Sequence, residues 1–137
     1  MGILAVRLLL DTHILLWSLL EPKRLAKRVA LALETPENEL WLSPITTWEV
    51  LVLAEKGRVL LDPEPKAWIR NAYRTMPFKE APLNHEVALV SRDLRLPHQD
   101  PADRFLVATA LVYDLVLVTS DERLFRSKVL ATLRNGR

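Results

Sequence analysis

Apolar side chains fill both alternating faces of Ile3 to Leu10, the pattern of a central strand in a parallel sheet covered on both sides. Asp11-Thr12 then offers capping groups ahead of the apolar stretch Ile14 to Leu20, which reads as a helix. Pro22 ends it. Leu25, Val29 and Ala32 at helical spacing predict a second helix over Arg24 to Glu34, followed by a turn at Pro36-Glu37-Asn38. Glu39 to Leu42 reads as a short strand, and Ser43-Pro44 as a helix entry with a capping hydroxyl and a first-turn proline, opening a helix that stops at Gly57.

Further helices are predicted from Glu64 or Pro65 to Arg74 and from Asn84 to about Leu94, with a short extended piece near Phe78 to Ala81 between them. Asp100-Pro101-Ala102-Asp103 starts another helix, which Tyr113-Asp114 terminates. Leu115 to Thr119 is an unbroken β-prone run and reads as a buried strand; Ser120-Asp121-Glu122 caps a final helical turn, and a weakly signalled last strand lies near Val129 to Leu133. Strands alternating with helices predict an α/β fold: a three-layer α/β/α domain around a central, mostly parallel sheet. No repeat or linker divides the 137 residues, so a single domain over 1–137 is expected, large enough to bury roughly two thirds of its unfolded surface.

Composition narrows the chemistry. Half the residues are hydrophobic and 26% charged, which is ordinary for a globular chain and argues against disorder. With no cysteine and three histidines that form no His-x-x-x-His pair, thiolate and paired-imidazole metal sites are excluded, leaving only a hard, oxygen-bound metal. The net charge of +2 and pI near 9.2 lean towards anionic partners without identifying one. Arg7 and Asp11 break the amino-terminal apolar run, so no signal peptide is read there and a cytoplasmic location is expected. Phe105 to Val118 is interrupted by Asp114 and too short to span a membrane.

Against this apolar background four acids stand where an apolar segment stops or is broken: Asp11, Glu49, Asp103 and Asp121. Asp11 and Asp121 follow strands, where open α/β sheets bind ligands. Glu49 is the only charged residue between Ser43 and Ala54, on one side of its helix with Ile45, Val52 and Lys56. Each acid also has a plain structural reading. Asp11 and Asp121 could be ordinary caps, and Asp103 could be a third-position acid favoured by the helix dipole behind an Asp100 cap. The set of four carries the functional reading, and a divalent cation is the natural compensation for carboxylates placed beside a core.

Leu8-Leu9-Leu10-Asp11-Thr12-His13-Ile14-Leu15-Leu16-Trp17, Ser43-Pro44-Ile45-Thr46-Thr47-Trp48-Glu49, Asp100-Pro101-Ala102-Asp103-Arg104-Phe105-Leu106-Val107-Ala108-Thr109-Ala110 and Leu117-Val118-Thr119-Ser120-Asp121 resemble, in order, the four motifs of PIN-domain nucleases, in particular the bacterial VapC-like toxins. The resemblance spans nearly the whole chain and implies a PIN-like fold with an acidic cluster of Asp11, Glu49, Asp103 and Asp121. A hydroxyl from Thr119 or Ser120 would stand nearby. It implies Mg²⁺ or Mn²⁺ as cofactor and hydrolysis of an RNA phosphodiester to 5′-phosphate and 3′-hydroxyl ends. Asp11 and Asp103 are expected as direct ligands, and Glu49 and Asp121 as ligands through water or as groups orienting the nucleophile. The family also implies a homodimer and a small antitoxin partner.

Around these acids, Thr12 is read as positioning Asp11 or a substrate phosphate, or as a turn hydroxyl; His13 as structural; Asp100 as the helix cap. Lys23, Arg24, Lys27 and Arg28 cluster at the start of the second predicted helix, where they either meet RNA or antitoxin or form a solvated face. Arg104 is read as a phosphate contact or a structural salt bridge beside Asp103. Trp17, Trp41, Trp48 and Trp68, each in or beside an apolar pattern, are expected in the core or an interface. The competing functions are a catalytically silent PIN module binding RNA or protein, which four intact acids argue against, and a phosphatase or phosphotransfer domain on a doubly wound sheet. The latter commonly needs an acid adjacent or two beyond Asp11, where this chain has Thr12 and His13.

Overall fold

Five short strands form one wholly parallel sheet in the computed structural model, which describes residues 5–96, 100–126 and 130–136. They are β1 (Arg7–Leu10), β2 (Glu39–Leu42), β3 (Phe78–Glu80), β4 (Val116–Thr119) and β5 (Thr132–Arg134), lying side by side in the order β3-β2-β1-β4-β5. The helices among the described residues are α1 (Thr12–Leu20), α2 (Lys27–Glu34), α3 (Pro44–Glu55), α4 (Pro65–Thr75), α5 (His85–Asp93), α6 (Pro101–Tyr113) and α7 (Glu122–Arg126).

The three layers follow from the period-2 alternation of the strands. Leu8 and Leu10 of β1 and Val118 of β4 enter one core with Ile14 and Leu15 of α1, Val29 of α2, Val50 of α3 and Ile69 of α4. Leu9 and Leu117 face the other way, into a second core with Leu106, Val107 and Ala110 of α6 and Leu124 of α7. Burial of each such side chain is worth about 1.5 to 3 kcal/mol, so the Leu8-Leu9-Leu10 run holds both helix layers to one strand.

Helix ends are set locally. The Ser43 hydroxyl accepts from Ile45 N at 3.1 Å at the start of α3. Gly57, at φ +70°, closes that helix in the left-handed conformation that costs glycine little, with Arg58 N donating to Leu53 O at 2.9 Å. Asp100 caps α6 as expected, accepting from Asp103 N at 3.2 Å, and Asp114 at φ 55° ends it.

The structure corrects several boundaries. β1 begins at Arg7 rather than Ile3, of which positions 3 and 4 lie outside the described residues. The helix expected from Arg24 begins at Lys27, after a separate 3-10 turn at Pro22–Arg24. The physical reason is distant in sequence: the Asn135 side chain accepts from Ala26 N at 2.6 Å and donates to Arg24 O at 3.2 Å, fixing Ala26 as the extended residue before the helix. β4 starts one residue later than expected, and the last strand is shifted to Thr132–Arg134, Val129 lying outside the described residues. No helix among the described residues is long and apolar enough to cross a membrane.

The chain runs outward from β1 through β2 to β3 on one side, then returns to build β4 and β5 on the other. The switch point therefore lies between β1 and β4, whose registers pair Leu9 with Leu117 and Leu10 with Val118. A crevice forms beyond the carboxyl ends of two parallel strands wherever their connections leave in opposite directions.

Candidate active site

At that crevice Asp11 is the last residue held to the sheet, its N–H donating to Val118 O at 3.0 Å. Its carboxylate is fixed from both sides. Oδ1 accepts from Thr12 N at 2.6 Å, which makes Asp11 the cap of α1, and Oδ2 accepts from the hydroxyl of Thr119 on β4 at 2.7 Å. The same Thr119 oxygen accepts from Asp121 N at 3.0 Å, so the loop after β4 is hung on the residue that orients Asp11. Thr12, one residue on, turns its hydroxyl the other way and donates to Glu49 Oε1 of α3 at 2.8 Å.

Asp11, Glu49 and Asp121 are thus joined by two buried threonines. Asp103, in the first turn of α6, reaches the same group through a basic residue. Arg123 in α7 places Nη2 2.9 Å from Asp121 Oδ2 and 3.8 Å from Asp103 Oδ2, while its Nε donates to Asp121 Oδ1 at 3.2 Å. The four acids predicted from the sequence are therefore brought together. Of the two candidate hydroxyls, Thr119 makes the contact to Asp11, whereas no hydrogen bond of the Ser120 side chain is found among the described residues.

The electrostatics record the crowding. Burial pushes the Asp11 carboxyl above its ordinary value, with the Thr119 and Thr12 hydrogen bonds and His13 opposing and Asp121 adding to the rise. Glu49 is pushed up to about 7, first by burial and then by the charges of Asp11, Asp103 and Asp100, against the Thr12 hydrogen bond. The Arg123 guanidinium is held in its charged form by its hydrogen bond to Asp121. Among the described residues no three acidic groups enclose a point in the geometry of an ion site as they stand. The donor set nevertheless fits a hard dication, since it offers carboxylate oxygens and the sequence holds no thiolate or paired imidazoles.

Beside the acids lies a groove of about 720 Å³ lined by Thr12, Glu49, Asp100, Trp48 and Phe105, with Lys56 and Arg58 also on its wall. Trp48, expected in a core or interface, is 55% exposed here, whereas Trp17, Trp41 and Trp68 are partly buried against the cores. Trp48 lines the groove rather than a core, and Arg123 escaped the sequence reading. Trp48 has an apolar setting in sequence and an open one in space. Arg123 was legible only as the second residue beyond a capping aspartate, a position from which a guanidinium can fold back onto the cap.

Residues 8–129 match the family described as PIN domain. The chain belongs to the PIN-domain family. Ribonuclease VapC22 of Mycobacterium tuberculosis is 35% identical over 119 residues, covering 85% of this chain and 88% of its own. Among solved structures, FitAcB from Neisseria gonorrhoeae superposes with a TM-score of 0.68 at 25% identity, covering 93% of this chain and 96% of the other. VapBC2 from Rickettsia felis, bound to a DNA fragment from their promoter, reaches a TM-score of 0.73 over 96% of this chain and 100% of the other, at 14% identity. The expected VapC-like PIN fold, a parallel sheet between helix layers, is borne out.

Within this PIN domain the basic residues separate into distinct roles. Arg104, read as a phosphate contact or a salt bridge beside Asp103, is buried: its Nε donates to Ser91 O at 3.1 Å and Nη2 to Leu94 O at 2.8 Å, tying α6 to the end of α5. A guanidinium enclosed by backbone carbonyls is a structural strut, which corrects the phosphate reading. The four-residue cluster is not one helix face, since Lys23 and Arg24 lie on the 3-10 turn and Lys27 and Arg28 on α2. All four are exposed, but Arg24 stacks on Trp17 at 4.3 Å and pairs with Glu21 at 3.2 Å, and Arg28 donates to Gly136 O at 2.7 Å. Asn135 ties the start of this cluster to the carboxyl edge of the sheet, its N–H donating to Thr119 O at 2.8 Å.

Proposed function

We propose that this chain, as one nuclease domain over 1–137, is a metal-dependent endoribonuclease and the toxin of a type II toxin–antitoxin pair. One observation carries the reading. At the β1/β4 switch point, Thr12 and Thr119 link Asp11, Glu49 and Asp121, and Arg123 draws in Asp103, so four carboxylates converge where the fold binds ligands. The 35% identity to a protein named a ribonuclease supports RNA as substrate, and the likeness, at 25% identity, to a solved toxin–antitoxin complex from Klebsiella pneumoniae supports an antitoxin partner.

Asp11 and Asp103 are assigned as direct ligands of Mg²⁺ or Mn²⁺, and Glu49 and Asp121 as ligands through water or groups that orient the nucleophile. Such an ion, when bound, supplies positive charge against the scissile phosphate and acidifies a water. The protein does the rest. Thr119 Oγ1 and Thr12 N hold the two Asp11 oxygens in a fixed plane, each oxygen keeping a lone pair for a ligand. Thr12 Oγ1 holds Glu49 Oε1, which leaves Oε2 to take a proton from an attacking water. In-line attack leaves 5′-phosphate and 3′-hydroxyl ends. Lys23, Arg24, Lys27 and Arg28, all exposed, are assigned to RNA or antitoxin contact. A homodimer, a small antitoxin and a cytoplasmic location complete the proposal.

The test is cleavage of a single-stranded RNA with Mg²⁺ or Mn²⁺ and with excess EDTA. Metal-dependent cleavage, lost in Asp11→Asn and Asp103→Asn, is expected. Undiminished cleavage in EDTA would overturn the metal requirement, and RNA binding without cleavage under either metal would favour the silent PIN module.

A further inference from the structure

Two of the four acids already have a cation of the protein's own. Arg123 meets Asp121 through three donors: its backbone N–H to Oδ1 at 2.9 Å, Nε to Oδ1 at 3.2 Å and Nη2 to Oδ2 at 2.9 Å. The side-chain pair is the two-point fork in which guanidinium binds carboxylate best. The same Nη2 stands 3.8 Å from Asp103 Oδ2. Asp103 and Asp121 belong to different elements, the first turn of α6 and the loop after β4, so this one guanidinium offsets charge across the site as an ion would.

Two features make the contact reversible. The Arg123 side chain remains 56% exposed, so it can swing into solvent without opening either core. Its backbone N–H would still donate to the Asp121 carboxylate after the side chain had left, keeping the loop in place. Arg126, one turn along α7, pairs instead with Glu122 at 3.4 Å and does not share this arrangement.

We propose that Arg123 is a tethered counter-ion that holds the acidic site in its metal-free form and competes with the divalent cation for Asp121 and Asp103. This rests on the metal-dependent reading of the site. Metal entry then requires the fork to open, and the affinity for metal is set partly by how firmly Arg123 holds on.

Calorimetric titration of the full chain with Mn²⁺ tests it, comparing wild type with Arg123→Gln, Arg123→Lys and Arg126→Gln. Freed of its competitor, Arg123→Gln is expected to bind Mn²⁺ with a Kd roughly two- to fivefold lower than wild type, the range a partly exposed ion pair allows. Arg123→Lys keeps the charge but not the fork, so it is expected to tighten binding by a smaller margin, and it serves if the Gln variant fails to fold. Arg126→Gln is expected to match wild type. In EDTA, Arg123→Gln should melt below wild type, and saturating Mn²⁺ should narrow that gap. Mn²⁺ binding of equal or lower affinity in Arg123→Gln would overturn the proposal alone, as would a gain in Arg126→Gln equal to that in Arg123→Gln. No Mn²⁺ binding by wild type or any variant would overturn the metal-dependent reading and this inference with it.

Discussion

Replacing Glu49 by glutamine reads the cost of holding a carboxylate at this site, chiefly its burial and then the charges of Asp11, Asp103 and Asp100. The free carboxyl titrates near 4.5, whereas in the folded protein it is pushed up to about 7, so the native state binds its proton more tightly than the unfolded chain does. Below pH 4.5 the group is protonated in both states and costs nothing. As pH rises from 4.5 towards 7 the unfolded chain releases the proton first, and native stability falls; above 7 the penalty is complete. At about 1.4 kcal/mol for each tenfold change in proton affinity, the ceiling is ~3.5 kcal/mol. Glu49 is only partly buried, and solvent screening reduces this to about 1 to 2 kcal/mol.

Glutamine removes the charge yet keeps an oxygen for the Thr12 hydroxyl. In EDTA at pH 8, Glu49→Gln should therefore melt about 3 to 8 °C above wild type, with the gap closing by pH 5. Calorimetric melts across that pH series provide the check. A variant no more stable than wild type at pH 8, or a gap that does not change with pH, would refute the claim that burial and the neighbouring acids penalise a charged Glu49. Asp11 is a poorer probe, because both its oxygens accept hydrogen bonds and an asparagine NH₂ would face one of those donors.

Other outcomes follow from the same geometry. Thr119→Val should cost about 1 to 3 kcal/mol in denaturant titrations, since Asp11 Oδ2 loses its hydroxyl donor and Asp121 N its acceptor, while Thr119→Ser should stay close to wild type. Arg104→Met should destabilise by about 3 kcal/mol, because two carbonyls lose a charged donor, yet leave the salt dependence of RNA binding unchanged. Gln at Lys23 and Lys27 should flatten that salt dependence by up to about two counterions, as read from binding titrations across a salt series; an unchanged slope would return both lysines to solvent.

The alternation of apolar positions determined by itself that this chain builds a parallel sheet between helix layers. Leu8-Leu9-Leu10 and Leu117-Val118 have no polar face to give to water, so both sides must be covered. The caps were equally legible, because Ser43, Asp100 and Gly57 act on neighbours within a few residues. The identities of the four acids were legible as breaks in an apolar pattern. Their partners were not. Thr119 reaches Asp11 across 108 positions and Thr12 reaches Glu49 across 37, so only strand order and register could decide that these hydroxyls, rather than Ser120, tie the cluster together. Asn135 shortens α2 from 109 residues away, and Arg104 and Arg123, alike in sequence as arginines beside or near an acid, part company in space. One is enclosed by the carbonyls ending α5 and the other lies open on the acids. Local spacing sets which backbone groups cap and which faces are apolar, but desolvation and charge pairing act through space, and they are defined only once the sheet has brought distant segments to one edge.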